Sequence, residues 1–562
     1  MTSVTHDAMS EGQGRDLTRQ PGILAVYLRT WAPFWIVVAL AMIPILYVPV
    51  QTGSQFLSDD TSMYWAARNF AGTGKLYFED DLTRADEENL IHVRGFVTHD
   101  GRAVPYNFLG MPVLYGAAYA VVGEHAEYLG AILAMIALAS IWGMLGIWQG
   151  TERRWSFGLI ALAFPVLYYF GRPYMNTVPS LSFFLVGLYL LMRYYQRPSW
   201  QRLVMSAFAF SVGVFCRYPD ALIVAPLVGI VLLQRHGSLL NRTYLGHMAI
   251  FAVSCGVVFG IPLFVLNWMT YGNPLTYGYD LFNEAYYPNR GGSDAGGMTG
   301  MLNTIGVWLM PGGIDFELLG ESLRKYFVLL VPAVPVLALV GYLELWKSKR
   351  APRMFLVAYL LLVLYVLLYA GSGPVWGTQF DEPTLGHTMV RYWLLVYLAF
   401  ALAASFVLLK SREELPRLGI LGVAVAFAAV GLFQGEDSLP SVKAGIDRGV
   451  VWTETHLLPH VEDNAVVYAG RSDKYVVPVR RVAAWHNAAD ETFYEPGMVA
   501  ASMNRVFKAG HPVYVVNEPE VDMAELRGVL AGYGLYAERI GKGVIYKVTD
   551  NVPPTARKGA GQ

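Results

Sequence analysis

Two adjacent carboxylates, Asp59 and Asp60, follow the first long apolar run of the chain, 31–50. An ionised carboxylate close to lipid costs free energy, so its position beside a membrane span indicates a functional site. On the outer side of a membrane it can act as general base toward an acceptor hydroxyl. Alternatively, the pair can bind a divalent cation, because hard cations prefer carboxylate oxygens. A structural alternative is that Ser58 or Asp59 caps a helix predicted over 61–70.

The rest of this loop, residues 51–124, is charged as well. The acidic runs 79–81 and 86–88 are typical of a solvated surface. His92 and His99 could add ligands to a cation bound by the aspartates, but two loop histidines seven residues apart are more typical of ordinary surface residues. The two aspartates therefore stay the candidates for chemistry.

Three arginines, Arg172, Arg217 and Arg391, lie at the predicted outer ends of apolar runs, against the general bias that places basic residues on the cytoplasmic side. A guanidinium binds phosphate oxygens in a bidentate manner, so these residues could bind a lipid-linked phosphate at the outer leaflet. The alternative is an interfacial anchor that extends to the headgroups. The anchor is favoured for any single arginine, whereas phosphate contact is favoured for at least one of Arg217 and Arg391.

The composition is that of a membrane protein. Of 562 residues, 54% are apolar and 15% are charged, and tryptophan and tyrosine, which anchor proteins at membrane interfaces, are abundant. The formal net charge of -1 gives no reason to expect a nucleic-acid partner.

The chain has two cysteines, Cys216 and Cys255, which exclude a disulfide framework and a zinc-type cysteine cluster. We interpret 1–30 as a cytoplasmic tail and 31–50 as a retained signal-anchor helix.

Eleven apolar runs are long enough to cross a bilayer. They are 31–50, 126–149, 154–171, 178–195, 203–217, 219–234, 247–270, 326–346, 352–371, 391–410 and 418–434. With the N-terminus inside, every predicted inner connection is basic, as expected for cytoplasmic loops. The pattern holds only if 105–122, which contains two prolines and two glycines, does not cross the membrane. The sequence predicts a mainly α-helical polytopic membrane protein, 31–435, with the C-terminus outside.

The outer regions are then the loops 51–124 and 271–325 and a C-terminal domain, 436–549. In this domain 465–469, 512–516 and 543–548 are predicted strands, and helical patterns lie near 494–508 and 520–533. Strands that alternate with helices imply a small α/β domain. It lacks a glycine-rich phosphate loop and a nucleophile motif, so packing or acceptor docking is favoured over catalysis. The tail 550–562 is predicted to be disordered.

The order of these features resembles the GT-C superfamily of membrane glycosyltransferases, which includes protein O-mannosyltransferases, lipid A aminoarabinose transferases and mycobacterial arabinosyltransferases. One similarity is a cytoplasmic start and one span before an outer loop that opens with Asp-Asp. The others are the proline-rich segment 105–112, the turn Arg217-Tyr218-Pro219-Asp220, the stretch 272–279 and the late motif 387–392. Each motif alone is weakly specific, but their order over about residues 30–435 is more so.

The resemblance implies a GT-C-like fold and sugar transfer on the outer face from a polyprenyl-phosphate sugar, usually with inversion at the anomeric carbon. Asp59 and Asp60 match the acidic motif of the family, so one of them would deprotonate the acceptor hydroxyl. Arg217 and Arg391 match the basic cluster that stabilises the leaving lipid phosphate. The Asp-Asp pair is closer to the arabinosyltransferase pattern than to the Asp-Glu of the mannosyltransferases.

One phosphate ligand is left unassigned, because a lysine common before the family's proline pair is absent and Tyr106-Asn107 lie in that region. Lys75 is the candidate to replace it, and Arg172 is a further candidate for binding the donor phosphate. The side chains expected to contact substrate are Tyr106, Asn107, Asp220, His387 and Tyr392.

The leading hypothesis is a hexosyl- or pentosyltransferase in the plasma membrane of a prokaryote. Its partners would be a polyprenyl-phosphate sugar, a lipid, glycan or protein acceptor, and membrane lipid. The glycine-rich loop 272–325 would close over the donor. A second hypothesis is an outer-leaflet polysaccharide or lipid ligase, or a headgroup transferase, with His387 as its base. A third, a non-enzymatic lipid or glycan transporter, is disfavoured by the scarcity of charge inside the spans. The sugar, the acceptor and any divalent metal stay open.

Overall fold

The computed structural model describes most of the chain. The described residues are 23–47, 58–150, 153–172, 174–286, 315–348, 353–371, 384–385, 388–408, 414–435, 437–485, 494–518, 521–540 and 544–550. The predictions for the two chain ends and for most of the glycine-rich loop fall outside these residues.

Helices make up most of the described chain. The first thirteen are α1 (Ile23–Tyr47), α2 (Ser58–Thr73), α3 (Asp81–Arg84), α4 (Gly110–Val122), α5 (Leu129–Gln149), α6 (Arg153–Gly158), α7 (Phe164–Phe170), α8 (Thr177–Gln196), α9 (Trp200–Cys216), α10 (Ala221–His236), α11 (Arg242–Cys255), α12 (Ile261–Tyr271) and α13 (Gly278–Tyr286). The later ones are α14 (Phe316–Leu323), α15 (Ala333–Ser348), α16 (Arg353–Gly371), α17 (Thr388–Tyr392), α18 (Leu394–Leu408), α19 (Glu414–Phe433), α20 (Leu439–Trp452), α21 (Asp473–Val476), α22 (Pro496–Lys508) and α23 (Met523–Gly532).

Several of these helices are suited to a bilayer. Among the described residues, five helical runs are long and apolar enough to cross it: Gly110–Gln149, Thr177–Gln196, Tyr218–His236, Arg242–Tyr271 and Pro416–Phe433. A sixth results if Phe316–Leu329 and Ala333–Lys347, bent by 91°, count as one span. Shorter apolar helices occur at the predicted spans 31–50, 203–217, 352–371 and 391–410. A multi-pass helical architecture is confirmed, whereas the count of eleven spans stays a prediction.

The helices expose apolar side chains to their surroundings. In α11 and α12, for example, Val253 is 64% exposed and Trp268 is 63% exposed. The interior is apolar too, and Phe327 stacks on Tyr397 of α18 with ring centroids 5.0 Å apart. A protein that is apolar both inside and outside fits a hydrocarbon environment, since a soluble protein rarely exposes large apolar patches.

The described part of segment 51–124, called the first outer loop below after its predicted side, contains a small sheet and a pair of packed helices. Its strands β1 (Phe96–His99) and β2 (Arg102–Pro105) pair antiparallel, and α2 packs against α4. Gly116 of α4 allows this close approach, because a Cβ there would lie 2.8 Å from the carbonyl oxygen of Ala67 in α2. The α2–α4 pair therefore depends on a small residue at the crossing point.

A second sheet forms near the C-terminus. Its strands are β3 (Val466–Ala469), β4 (Arg481–Ala484), β5 (Val513–Val516), β6 (Tyr536–Ile540) and β7 (Ile545–Thr549). The strand order is β4-β3-β5-β7-β6, with β3 parallel to both β4 and β5 and with β7 antiparallel to its neighbours. The three predicted strands correspond to β3, β5 and β7, and β4 and β6 add to them. Residues 466–549 are called the C-terminal sheet region below; the domain boundaries 436 and 549 stay a prediction.

The C-terminal sheet region packs directly on the first outer loop. The two acidic runs predicted to be solvated form ion pairs across this boundary: Asp80 with Arg481, and Glu87 and Glu88 with Arg505. The backbone N–H of Ala484 also donates to the carbonyl of Leu90 at 2.6 Å. The interpretation of both runs as a solvated surface is therefore only partly right. The side chains of Asp81 and Glu87 are 96% and 78% exposed. The arginines that pair with Asp80, Glu87 and Glu88, however, lie about 400 residues away in the sequence, and local pattern does not reveal them.

Candidate functional site

The acidic motif lies at the start of α2. This helix begins at Ser58, three residues before the predicted start, so Asp59 and Asp60 lie in its first turn. The alternative that Ser58 or Asp59 caps a helix beginning at Thr61 therefore does not hold. A carboxylate in the first turn is stabilised by the helix dipole. The side chain of Asp60 is 2% exposed, whereas that of Asp59 lies outside the described residues.

Asp60 lies near the end of α7, where it acts electrostatically on Tyr169 and Arg172. Arg172 is 7% exposed. Its Nη2 donates to Oη of Tyr168 at 2.9 Å, and its guanidinium carbon lies 5.5 Å from the ring centroid of Tyr169. Asp437 also acts on the charge of Arg172. Arg172 thus belongs to a buried polar network with Asp60, which is not the environment of an arginine that extends to lipid headgroups.

Tyr392 brings the other two predicted arginines together. The guanidinium carbons of Arg217 and Arg391 lie 5.0 and 5.1 Å from the centroid of its ring. Nη1 of Arg217 also donates to Oδ1 of Asp220 at 2.7 Å, and Asp220 accepts a hydrogen bond from Ser180. Asp220 is therefore placed to orient Arg217. Two guanidiniums around one ring concentrate positive charge, which suits a phosphate ligand.

A cleft lies beside Arg391 and Tyr392. Five chain segments contribute to it, with the side chains of Met63, Asn107, Phe108, Tyr174, Met175, Asn176, Tyr279, Arg391 and Tyr392. Met63 lies one helical turn after Asp60, and Tyr169 is within electrostatic range of both Asp60 and Arg391. The predicted base and a predicted phosphate ligand are thus brought to the same region of the protein.

Two motifs that are far apart in sequence pack against each other beside this cleft. Oη of Tyr279 donates to Oδ1 of Asn107 at 3.0 Å, and the rings of Tyr279 and Tyr106 lie 5.7 Å apart. Oη of Tyr271 donates to the carbonyl of Pro105 at 2.8 Å. The segments 105–112 and 272–279 therefore form one wall that positions Asn107.

Gly278 permits this contact, and we expect Gly278→Ala to disturb it. An added Cβ would lie 2.5 Å from the carbonyl oxygen of Tyr106 and 2.7 Å from its Cα, so the backbone carrying Tyr106 and Asn107 must shift. A displacement of about 1 Å near reacting groups can lower a rate about 100-fold. The measurement is sugar transfer at equal expression. Gly320→Ala in α14 is the control, since nothing in the described structure lies within 4 Å of its added Cβ. Equal activity of both variants would contradict this role.

One predicted phosphate ligand, Lys75, is not brought to the cleft. Lys75 lies beyond the far end of α2, about 22 Å from Asp60 at 1.5 Å per helical residue. There its Nζ is 3.6 Å from Glu79 and 5.2 Å from the ring centroid of Tyr77. His387 lies outside the described residues.

The possible metal ligands of the outer loop are dispersed. Within the described part of the chain, no group of three or more His, Cys, Asp or Glu side chains is placed to bind a metal ion. His92 is buried, contrary to its interpretation as a surface residue, and its ring nitrogens lie 3.0 Å from the carbonyls of Val93 and Asn89. His99 is 3.6 Å from Asp100. The proposed cation at Asp59 and Asp60 stays a prediction.

Sequence reasoning missed the residues that neither a motif nor a charge pattern marks. Met175 and Asn176 line the cleft next to Arg172, and Nη1 of Arg391 lies 3.7 Å from Sδ of Met175. Asp437 follows the last predicted span and could have been noted as a second juxtamembrane carboxylate. Lys474, from the C-terminal sheet region, also lies within electrostatic range of Arg172, and nothing in its local sequence indicates this.

Comparison with known proteins adds two findings. The family model for dolichyl-phosphate-mannose-protein mannosyltransferase matches residues 118–260. A crystal structure of ArnT from Cupriavidus metallidurans in the apo state superposes with a TM-score of 0.58 at 12% sequence identity, and the match covers 93% of this chain and 98% of that chain. No curated protein sequence matches this chain.

These findings confirm the resemblance to the GT-C superfamily. The family match covers about a quarter of the chain and includes Arg172 and Arg217, whereas Asp60 and Arg391 lie outside it. The structural similarity extends over nearly the whole chain and, at this low identity, concerns the fold.

Proposed function

We propose that this GT-C-like membrane protein transfers a sugar from a polyprenyl-phosphate donor to a hydroxyl acceptor on the extracytoplasmic face of the membrane. The observation that carries the proposal is that the buried carboxylate of Asp60 lies one helical turn before Met63, which lines the same cleft as the guanidinium of Arg391. Transfer of a sugar from a phosphate needs a base to deprotonate the acceptor and cationic groups to stabilise the leaving phosphate.

In this mechanism Asp60 accepts the proton of the acceptor hydroxyl. The acceptor oxygen then forms a bond to the anomeric carbon, and the bond between that carbon and the phosphate oxygen breaks. The electron pair of the broken bond leaves with the polyprenyl phosphate. Attack from the side opposite the leaving group inverts the anomeric configuration. The low exposure of Asp60 favours proton transfer from a bound acceptor over exchange with bulk water.

Arg217 and Arg391 stabilise the phosphate as it gains charge. Their contact with the Tyr392 ring restricts both side chains, so less conformational freedom is lost when phosphate binds. Arg172, which interacts electrostatically with Asp60, adds positive charge near the base. Electrostatic groups fixed before the reaction are the ones that lower a barrier most.

The wall formed by Tyr106, Asn107 and Tyr279 contacts the sugar. Asn107 carries both a donor and an acceptor for sugar hydroxyls, and its Oδ1 is already oriented by Tyr279. Aromatic rings beside such a polar group give the amphipathic surface on which a sugar ring packs. Asp220 acts here through Arg217, which it orients.

The proposed setting follows from the charge pattern of the connections. The N-terminus lies in the cytoplasm of a prokaryotic cell, and the first outer loop and the C-terminal sheet region face the extracytoplasmic side. The acceptor is a lipid, a glycan or a protein that reaches the outer membrane surface.

The test is transfer of radiolabelled sugar in membranes that contain the protein, supplied with a panel of polyprenyl-phosphate hexoses and pentoses. We expect label to reach an acceptor from one donor and to be absent in membranes without the protein. Nucleotide sugars serve as the control donors. Transfer from a nucleotide sugar in place of every lipid-linked donor, or transfer from none, would contradict the proposal.

A further inference from the structure

The short helix α21 of the C-terminal sheet region ends beside the wall of the cleft, because Val477, the residue that follows it, packs against the apolar cluster that contains Tyr106 and Tyr271. The loop that leads to this helix is fixed by the carboxylate of Glu518. The backbone N–H groups of Gly470, Arg471 and Ser472 donate to it at 2.9, 2.7 and 3.0 Å, and Oγ of Ser472 donates at 2.7 Å. Four hydrogen bonds to one carboxylate leave this loop little freedom.

The position of Glu518 in the sheet explains this arrangement. The strand order places β4 and β5 on opposite sides of β3, so the loops after β3 and β5 meet at the carboxyl ends of the parallel strands. Sheets of this type bind ligands at such a point. Here the carboxylate of Glu518, in the loop after β5, accepts hydrogen bonds from the backbone N–H groups of the loop after β3. In this protein the carboxyl ends of β3 and β5 therefore fix the start of α21.

Asp473, the first residue of α21, ties the helix to the outer loop. Its carboxylate accepts hydrogen bonds from Nε and Nη2 of Arg94, both at 2.9 Å, and its side chain is 1% exposed. A buried bidentate pair of this kind fixes orientation as well as distance. The backbone of the next residue, Lys474, is therefore held in a defined position.

Lys474 is half-buried, with Nζ 5.2 Å from the ring centroid of Tyr475. Burial, together with the positive charges of Arg94 and Arg172, lowers its pKa to about 8, although Asp473 and Glu518 oppose the shift. Nearby positive charges raise the free energy of the protonated lysine, and an anion bound beside it would lower that free energy. Arg172 in turn interacts electrostatically with Asp60.

We propose that Lys474 binds the phosphate of the lipid-linked donor together with Arg172, so that the C-terminal sheet region completes the donor site. The inference rests on the proposed function and deepens it. It supplies the phosphate ligand for which Lys75 was the candidate. It also gives the sheet region a part in donor binding, whereas the sequence favoured packing or acceptor docking.

The first test compares Lys474→Met and Lys474→Gln with wild type. We expect the KM for the donor to rise about tenfold or more and kcat to fall as well, because a charged hydrogen bond is lost to a phosphate that gains charge in the transition state. Lys474→Arg should restore most of the affinity. The control is Lys443→Met, which removes a partly exposed lysine that pairs with Asp447 in α20. A wild-type KM in both Lys474 variants would overturn the inference while leaving the transfer reaction in place.

The second test needs no variant and no turnover. Wild-type protein is treated with an amine-acylating reagent, and modification of Lys474 and Lys443 is measured by mass spectrometry. We expect polyprenyl phosphate to protect Lys474 and not Lys443, and the uncharged polyprenol to protect neither. Inorganic phosphate separates recognition of the phosphate alone from recognition of the lipid-linked form. Equal modification of Lys474 with and without polyprenyl phosphate would overturn the inference, even if no donor supported transfer.

Discussion

Asp60→Asn is expected to lower kcat/KM for sugar transfer by about 10²–10⁴-fold, the range for loss of a general base. The amide keeps the size of the side chain and cannot accept the acceptor proton at neutral pH. Because the change removes a buried negative charge close to Arg172, the midpoint of thermal unfolding is measured alongside the rate. Initial rates with a saturating donor give kcat directly.

The matched control is Asp81→Asn. Asp81 lies in the same outer loop, and its side chain is 96% exposed, so wild-type activity is expected. Loss of activity in both variants with equal expression would point to a general effect of charge on the loop. Full activity of a folded Asp60→Asn protein would rule out Asp60 as the base and leave Asp59 as the remaining carboxylate of the motif.

Arg391→Ala has the second largest expected effect, a loss of about 10–100-fold in kcat/KM from removal of one charged hydrogen bond to phosphate. The effect should appear in both KM for the donor and kcat, because the phosphate gains charge in the transition state. Arg217→Ala is expected to act similarly. The double variant should lose less than the product of the two effects, since both guanidiniums lie over Tyr392 and share a ligand.

Arg84→Ala is the control for both arginines. Arg84 lies in the first outer loop, more than half exposed, and pairs with Asp81 and Glu79. Its removal should leave the kinetic constants unchanged. If Arg391→Ala and Arg217→Ala match this control, the cluster around Tyr392 does not bind the donor phosphate.

Much of the transmembrane part could be predicted from the sequence, because long apolar runs and basic inner connections follow directly from the cost of burying charge in lipid. Asp59 and Asp60 were selected as candidate residues for the same reason. Arg172 shows the limit of this reasoning. Its position at a span end favoured an interfacial anchor over a phosphate ligand, and only the three-dimensional structure reveals its electrostatic interaction with Asp60.

The role of the C-terminal sheet region could not be predicted, although its strands could. Alternating apolar runs indicate β3, β5 and β7 locally, but the pairs Arg94–Asp473 and Asp80–Arg481 join residues about 400 positions apart. Local periodicity contains no information about such pairs. For this reason Lys75 was selected from the nearby sequence, while Lys474 was not considered.

The most direct test of the central claim is the stoichiometry of products formed by the purified protein in lipid nanodiscs. Polyprenyl-phosphate sugar and acceptor are supplied, and transferred sugar and released lipid are quantified together over time. The mechanism predicts one polyprenyl monophosphate released for each sugar transferred, with both products lost in Asp60→Asn. Release of a polyprenyl diphosphate, or movement of intact donor without release of lipid phosphate, would contradict the proposal and favour a ligase or a transporter.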